Sequence, residues 1–163
     1  MRKAVILVLF LFSFILFADN KEKHKELQWS SLSSKGMNWN DAAVYCKNLK
    51  EGGKSDWRLP DIDELRTLIK NCSKTVTGGE CKVSKKSGCL SSDCWKTRGS
   101  CFCDYKGDNH GYYSKLGDND DVWLWSSSTV SLNPTYAWSV GFSHGNVGYY
   151  HKPNLDFHVR CVR

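Results

Sequence analysis

Eight cysteines are the residues of this sequence with the clearest chemical potential. Cys46 and Cys161 lie far apart, whereas the other six crowd together: Cys72, Cys81, Cys89, Cys94, Cys101 and Cys103. An even number of cysteines in an oxidising compartment favours disulfides. The close spacing of Cys89 with Cys94 and of Cys101 with Cys103 leaves zinc binding as the alternative. We predict four disulfides, and the spacing alone leaves their pairing open.

A cationic stretch overlaps the cysteine cluster. Residues 71–115 carry eight Lys and Arg against four Asp and Glu, in a chain of formal net charge +6. Disulfides would fix the shape of this stretch, which reduces the ordering cost when a polyanion binds. The alternative is a basic loop that only aids solubility. The side chains expected to bind a polyanion are six: Lys82, Lys85, Lys86, Lys96, Arg98 and Lys106.

Three acids within four positions could supply oxygen ligands for calcium: Asp118, Asp120 and Asp121. The twelve-residue EF-hand pattern is absent, so a solvated acidic turn explains these acids equally well. No other cofactor is expected. We also expect no catalytic residues, because the serines at 126–128 lack the glycines of a nucleophile elbow. Cysteines bonded in pairs cannot act as nucleophiles.

The N-terminus has the pattern of an export signal. Arg2 and Lys3 precede an apolar run at residues 4–17, and the small residue Ala18 is followed by a polar stretch. The pattern predicts a signal peptide at residues 1–18 and a flexible charged segment at 19–26. The alternative is an uncleaved anchor, although the run is short for a transmembrane span. We therefore expect an exported protein, which is secreted, periplasmic or at the cell surface, with no transmembrane span.

The remaining sequence, residues 27–163, predicts a single α+β domain. Asn38 is placed to cap one helix, and Asp61 with Glu64 resembles the capping box of a second helix that ends near Asn71. Residues 71–115 lack apolar periodicity and are predicted to be a long disulfide-rich insertion. Alternating apolar residues predict strands at 27–32, 123–128, 136–142, 147–151 and 155–161.

Three motifs in a fixed order make a resemblance specific. They are Asp-Trp-Arg-Leu-Pro at residues 56–60, Trp-Ser-Ser-Ser at 125–128 and the terminal Arg-Cys-Val-Arg at 160–163. With these motifs the sequence resembles the Lcl C-terminal domain family, which is named after a Legionella collagen-like adhesin. The resemblance covers residues 29–70 and 122–163, and the insertion lies outside it.

The resemblance implies a C-type-lectin-like fold, with two helices packed on an antiparallel sheet. In that fold a cysteine of the first helix is bonded to one of the last strand, which implies the pair Cys46–Cys161. The six central cysteines would then pair among themselves. The family occurs as exported or surface modules, and the founding adhesin binds sulfated glycans.

The resemblance and the charge together predict a non-enzymatic recognition or adhesion module. Its expected partner is an acidic glycan, for example a sulfated one, or another polyanion of a cell or host surface. Nucleic acid is not expected, because an exported protein meets little of it. The alternatives are an enzyme or enzyme inhibitor on the same scaffold, or a structural envelope protein without a ligand.

Overall fold

The computed structural model describes residues 26–95, 98–106, 111–117 and 121–163. The predicted signal peptide and residues 19–25 of the charged segment lie outside these ranges. Within the ranges, no helix combines the length and apolar character needed to cross a membrane. The helices are α1 (Trp39–Asn48) and α2 (Ile62–Arg66), and the strands are β1 (Trp123–Val130), β2 (Asn133–Gly141) and β3 (Asn146–His151). Two short 3-10 helices, Ser92–Trp95 and Arg98–Ser100, lie in the insertion.

The first helix begins where the sequence predicts. The Asn38 side chain accepts a hydrogen bond from the Asp41 N–H at 3.0 Å, which satisfies a free donor of the first turn. Asp41 itself lies in that turn, where the helix dipole favours an acid. Ala42 and Cys46 are one turn apart and both are buried, so they form the face that packs on the domain.

The second helix also has its predicted cap but is shorter than expected. Asp61 and Glu64 form a complete capping box. The prediction that the helix ends near Asn71 is wrong, because α2 ends at Arg66. Tighter turns follow, and the chain then leaves the helical path to pair with the insertion: the Lys70 N–H donates to the Tyr113 carbonyl at 2.9 Å. Tertiary pairing therefore overrides the local helical pattern.

The three strands form one antiparallel sheet in the order β1-β2-β3. The predicted strands at 123–128, 136–142 and 147–151 are confirmed, and β1 and β2 extend further toward the hairpin that joins them at residues 131–132. Trp138 and Val140 lie on one face, and Ala137 on the other. The turn between β2 and β3 contains Gly145 with φ of 54°, a conformation that favours glycine.

The predicted strands at 27–32 and 155–161 are wrong as regular strands. The two segments run beside each other but form only isolated bridges, such as Trp29 with Val162. Two serine side chains interrupt the pairing: Ser30 Oγ accepts from the Cys161 N–H, and Ser33 Oγ accepts from the Val159 N–H. Because hydroxyl groups take these donors, a continuous main-chain ladder does not form.

The sheet separates two hydrophobic cores. On one face, α2 and the insertion pack on Trp138 and Val140. On the other face, α1 packs on Trp125 and Ala137. The α+β class, with two helices and an antiparallel sheet, is confirmed. The finer assignment to a C-type-lectin-like fold stays a prediction.

Candidate functional site

Four disulfides hold the parts of the domain together. Cys46 of α1 is bonded to Cys161, the pairing that the resemblance implies. The six central cysteines pair among themselves, as Cys72–Cys103, Cys81–Cys101 and Cys89–Cys94. No cysteine is free, so the zinc alternative is wrong: every sulfur is already bonded to another. The insertion is thus cross-linked three times.

A buried arginine gives the insertion further support. Arg66, in the last turn of α2, is 2% exposed. Its guanidinium donates to four main-chain carbonyl groups, those of Thr75, Val76, Cys81 and Val83. The planar guanidinium offers five N–H donors in a fixed arrangement, which suits a curved loop with several inward carbonyls. The segment 75–83 is therefore wrapped around one side chain.

A buried carboxylate fixes the next part of the insertion. Asp63 of α2 is 3% exposed, and its Oδ2 accepts from the Lys86 N–H at 2.9 Å. This bond holds the main chain beside Lys85 against α2. The insertion and α2 therefore form one unit, which determines where the lysines of the insertion emerge.

The six side chains predicted to bind a polyanion do not all lie at one site that the structure describes. Lys82, Lys85, Lys86 and Lys106 are exposed. Lys96 lies outside the described residues, and Arg98 lies in a 3-10 helix whose description does not extend to its side chain. Lys85 lines a groove, and there it meets cations from other parts of the chain.

This groove, which we call the cationic groove, has a volume of about 540 Å³. Lys47 of α1, Arg58 of the link between the helices and Lys85 of the insertion converge on it. Its remaining lining residues are Ala43, Trp57, Leu59, Asp61 and Ser127. Three cations face one carboxylate there, so the groove is suited to a negatively charged ligand.

Main-chain bonds hold the link that supplies Arg58. The Arg58 N–H and carbonyl pair with Val162, at 3.0 and 2.9 Å. The Ser127 N–H of β1 donates to the Pro60 carbonyl at 2.7 Å. The link is therefore fixed between the C-terminus and the sheet, and Arg58 projects from a rigid support.

Two ion pairs partly neutralise the cationic groove. Arg58 forms a bidentate pair with Glu64, at 2.7 and 2.6 Å, and this hydrogen bonding raises the pKa of the guanidinium. Burial opposes ionisation of Glu64, but hydrogen bonds from Arg58 and from the Asp61 N–H outweigh it and lower the pKa of the carboxyl. Lys85 lies 3.5 Å from Asp61 with a side chain 59% exposed, so this pair is weak and open to competition.

Lys47 and Arg58 are the two cations of the groove that were not predicted from the sequence. Lys47 is exposed, and within the described residues its side chain has no hydrogen bond or ion pair. The sequence does indicate where the Lys47 side chain lies on the helix, because Ala43 and Lys47 are four positions apart in α1 and so share a face. The contribution of Arg58 could not be found in the same way, because it depends on how three distant segments meet.

The predicted calcium site lies mostly outside the described residues, since Asp118 and Asp120 are not among them. Asp121 is described, and its Oδ1 accepts a hydrogen bond from the Gly111 N–H at 3.2 Å. Among the described residues, no group of three or more His, Cys, Asp or Glu side chains is arranged to hold a metal ion. Calcium binding stays a prediction.

A comparison with models of known protein families shows which family the chain belongs to. The model of the Lcl C-terminal domain matches residues 20–163. The chain belongs to the Lcl C-terminal domain family. The match includes residues 71–115, which the motif resemblance left out. Neither a curated protein nor a solved structure matches this Lcl C-terminal domain.

Proposed function

We propose that this Lcl C-terminal domain is an exported, adhesin-like recognition module that binds acidic glycans and catalyses no reaction. The observation that carries the proposal is the convergence of Lys47, Arg58 and Lys85 on the cationic groove. Sulfated glycans are the favoured class, because a sulfate group keeps its charge at every physiological pH. The predicted signal peptide and the four disulfides support export.

Rigidity of the cationic groove supports the proposal. Its three cations come from α1, from a link fixed between the sheet and the C-terminus, and from an insertion anchored by Asp63. Binding to a preformed site loses less conformational entropy than binding to a mobile loop. Three further exposed lysines of the insertion, Lys82, Lys86 and Lys106, add positive charge to the same cross-linked segment.

The enzyme alternative loses the feature that would have favoured it. A free and reactive thiol could act as a nucleophile, but all eight cysteines are bonded in pairs. A binding function needs no nucleophile. It depends instead on the three cations that converge on the cationic groove.

Heparin affinity chromatography tests the proposal, on protein purified from the exported fraction with its disulfides intact. We expect the protein to be retained at about 0.15 M NaCl and to elute as salt screens the charges. Replacing both Lys47 and Lys85 by Ser should move elution to clearly lower salt, because two of the three cations are lost.

The double variant Lys35→Ser/Lys54→Ser is the matched control, because it also removes two exposed lysines. Lys35 precedes α1 and Lys54 follows it, and neither residue lines the cationic groove. This control variant should elute with the unaltered protein. Elution of the unaltered protein without added salt, or equal shifts for both variants, would contradict the proposal.

A further inference from the structure

A further cavity, which we call the tyrosine pocket, lies at the turn that joins β1 and β2. It has a volume of about 240 Å³ and is lined by Ser92, Val130, Leu132, Asn133, Tyr136 and Tyr149. It shares no lining residue with the cationic groove. It is also smaller than the roughly 300–1,000 Å³ of pockets that hold drug-sized ligands, so it suits a single ring.

The side chains that line the tyrosine pocket are uncharged and include both aromatic and polar groups. None of its six lining residues carries a formal charge. The rings of Tyr136 and Tyr149 lie 5.8 Å apart at 73°, so they offer one ring face and one ring edge. Phenol, hydroxyl and amide groups add donors and acceptors. No hydrogen bond within the described residues uses the hydroxyl groups of Ser92, Tyr136 or Tyr149.

The walls of the tyrosine pocket are held rigidly. Tyr149 packs edge-on against Trp95 at 5.8 Å and against Trp138 at 5.2 Å. Both indole N–H groups are fixed by main-chain carbonyls: Trp95 donates to Val147 and Trp138 donates to Leu90. The Cys89–Cys94 disulfide encloses Ser92, so the insertion contributes a fixed wall as well.

The exposed rim of the tyrosine pocket carries an apolar side chain. Leu132, in the β1–β2 turn, is 93% exposed, the highest value among the large apolar residues described. An apolar side chain held at the edge of a polar and aromatic cavity can cover one face of a bound ring. Burial of Leu132 on binding would remove apolar surface from water.

We propose that the tyrosine pocket binds one uncharged pyranose ring of a glycan. A pyranose presents an apolar C–H face, which packs on an aromatic ring, and hydroxyl groups around its edge, which match the free hydroxyls of Ser92, Tyr136 and Tyr149. An apolar peptide side chain would leave those hydroxyls unpaired, which costs binding energy. An anion would find no cation there. The pocket would thus bind a neutral sugar independently of the cationic groove.

NMR titration of the isotope-labelled full domain with methyl β-glycosides of glucose, galactose and N-acetylglucosamine tests this inference. We expect at least one of them to shift the resonances of Tyr136, Tyr149 and Leu132, with a dissociation constant on the order of 1 mM. The shifts should not change between low salt and about 1 M NaCl, because no ion pair is involved. Methyl β-glucuronide, a charged ring of the same shape, should leave these resonances unchanged.

Two variants that leave the fully buried core unchanged keep the test independent of folding. Leu132→Ser alters a side chain that is almost fully exposed, and Tyr136→Phe removes one hydroxyl group. Each should weaken glycoside binding, Leu132→Ser by about tenfold, which corresponds to the loss of one apolar contact. Val44→Ser, which alters an apolar side chain 56% exposed on α1, should bind as the unaltered domain does.

The inference is overturned if no glycoside shifts these resonances, or if the shifts map elsewhere. It is also overturned if N-acetyl-leucine amide shifts them and the glycosides do not, because the pocket would then accept an apolar peptide side chain. Its failure is distinct from failure of the proposed function. Retention on heparin depends on salt and on Lys47 and Lys85, whereas glycoside binding depends on neither.

Discussion

Arg66 is a single residue on which the shape of the insertion depends. Within the described residues, its guanidinium donates to main-chain carbonyl groups of residues 75–83, and burial lowers the pKa of this group while Asp63 opposes the shift. Each buried carbonyl that loses its donor costs roughly 1–3 kcal/mol. Cross-links alone do not satisfy these groups, so the disulfides and Arg66 have separate roles.

Replacement of Arg66 by Met should therefore destabilise the domain by about 3 kcal/mol or more, measured by urea unfolding with the disulfides intact. Arg66→Lys should recover only part of the loss, because one ammonium cannot reach four carbonyls. Arg58→Met is the exposed control and should cost under about 1 kcal/mol. Equal losses for Arg66→Met and Arg58→Met would refute this role.

At the scale of elements, Glu64 joins the start of α2 to the cationic groove. Its Oε2 accepts from the Asp61 N–H at 2.8 Å and from Arg58 at 2.7 Å. The same carboxylate therefore caps a helix and orients a cation of the groove. A change at this position affects the stability of α2 and the direction of Arg58 together.

The lowered pKa of Glu64 gives a pH dependence with a definite sign. Its carboxyl is held below the ordinary value of 4.5, so its stabilisation is present above about pH 4.5 and is lost as the pH falls through the folded-state pKa. Glu64→Gln keeps a capping acceptor but removes the charge. It should unfold about 0.5–1 kcal/mol more easily than the unaltered domain at pH 7, in urea titrations, and this difference should shrink as the pH falls below about 4.5 and through the folded-state pKa. A difference that stays constant as the pH falls would contradict this pH dependence.

The Trp123 ring packs directly on Gly141 of β2. A Cβ atom at this position would lie 2.6 Å from the Trp123 ring, which rests on the strand. Gly141→Ala should displace the indole and cost about 1–3 kcal/mol, detected as a shift of the Trp123 indole resonance and by urea unfolding. Gly99→Ala, where a Cβ meets no atom within 4 Å, is the control. An unchanged indole resonance in Gly141→Ala would contradict the packing.

Local rules explain which elements the sequence predicted well. The caps at Asn38 and Asp61 depend on residues three positions apart, and the alternation in β2 depends on neighbours. The early end of α2 depends on Tyr113, more than 40 positions away, and the broken pairing of the terminal segments depends on serine hydroxyls. The cationic groove was only partly predictable for the same reason: Lys85 was expected, but its partners come from other segments.

At the scale of the whole molecule, the Cys46–Cys161 bond ties α1 to the C-terminal segment over a separation of 115 residues. It lies in the core that contains Trp125 and Ala137, beneath α1. The other three bonds close loops of 31, 20 and 5 residues within the insertion. A disulfide that closes a long loop removes more entropy from the unfolded chain than one that closes a short loop. The four bonds therefore differ in how much they stabilise the fold.

Removal of this long-range bond should cost more than removal of the shortest one. Replacing Cys46 and Cys161 by Ser should lower the free energy of unfolding by about 4–5 kcal/mol, against about 2 kcal/mol for Cys89 and Cys94. Urea unfolding of both double variants measures the order. The reverse order would show that the bond to α1 is not the main constraint on the chain.

Binding in the cationic groove is tested most directly by NMR titration of the labelled domain with a heparin-derived oligosaccharide. We expect amide shifts at Ala43, Lys47, Lys85 and Ser127, which come from three different parts of the chain but line one groove. The shifts should shrink as NaCl is added. Shifts confined to other surfaces, or no shifts at low salt, would contradict the claim that these segments form the acidic-glycan site.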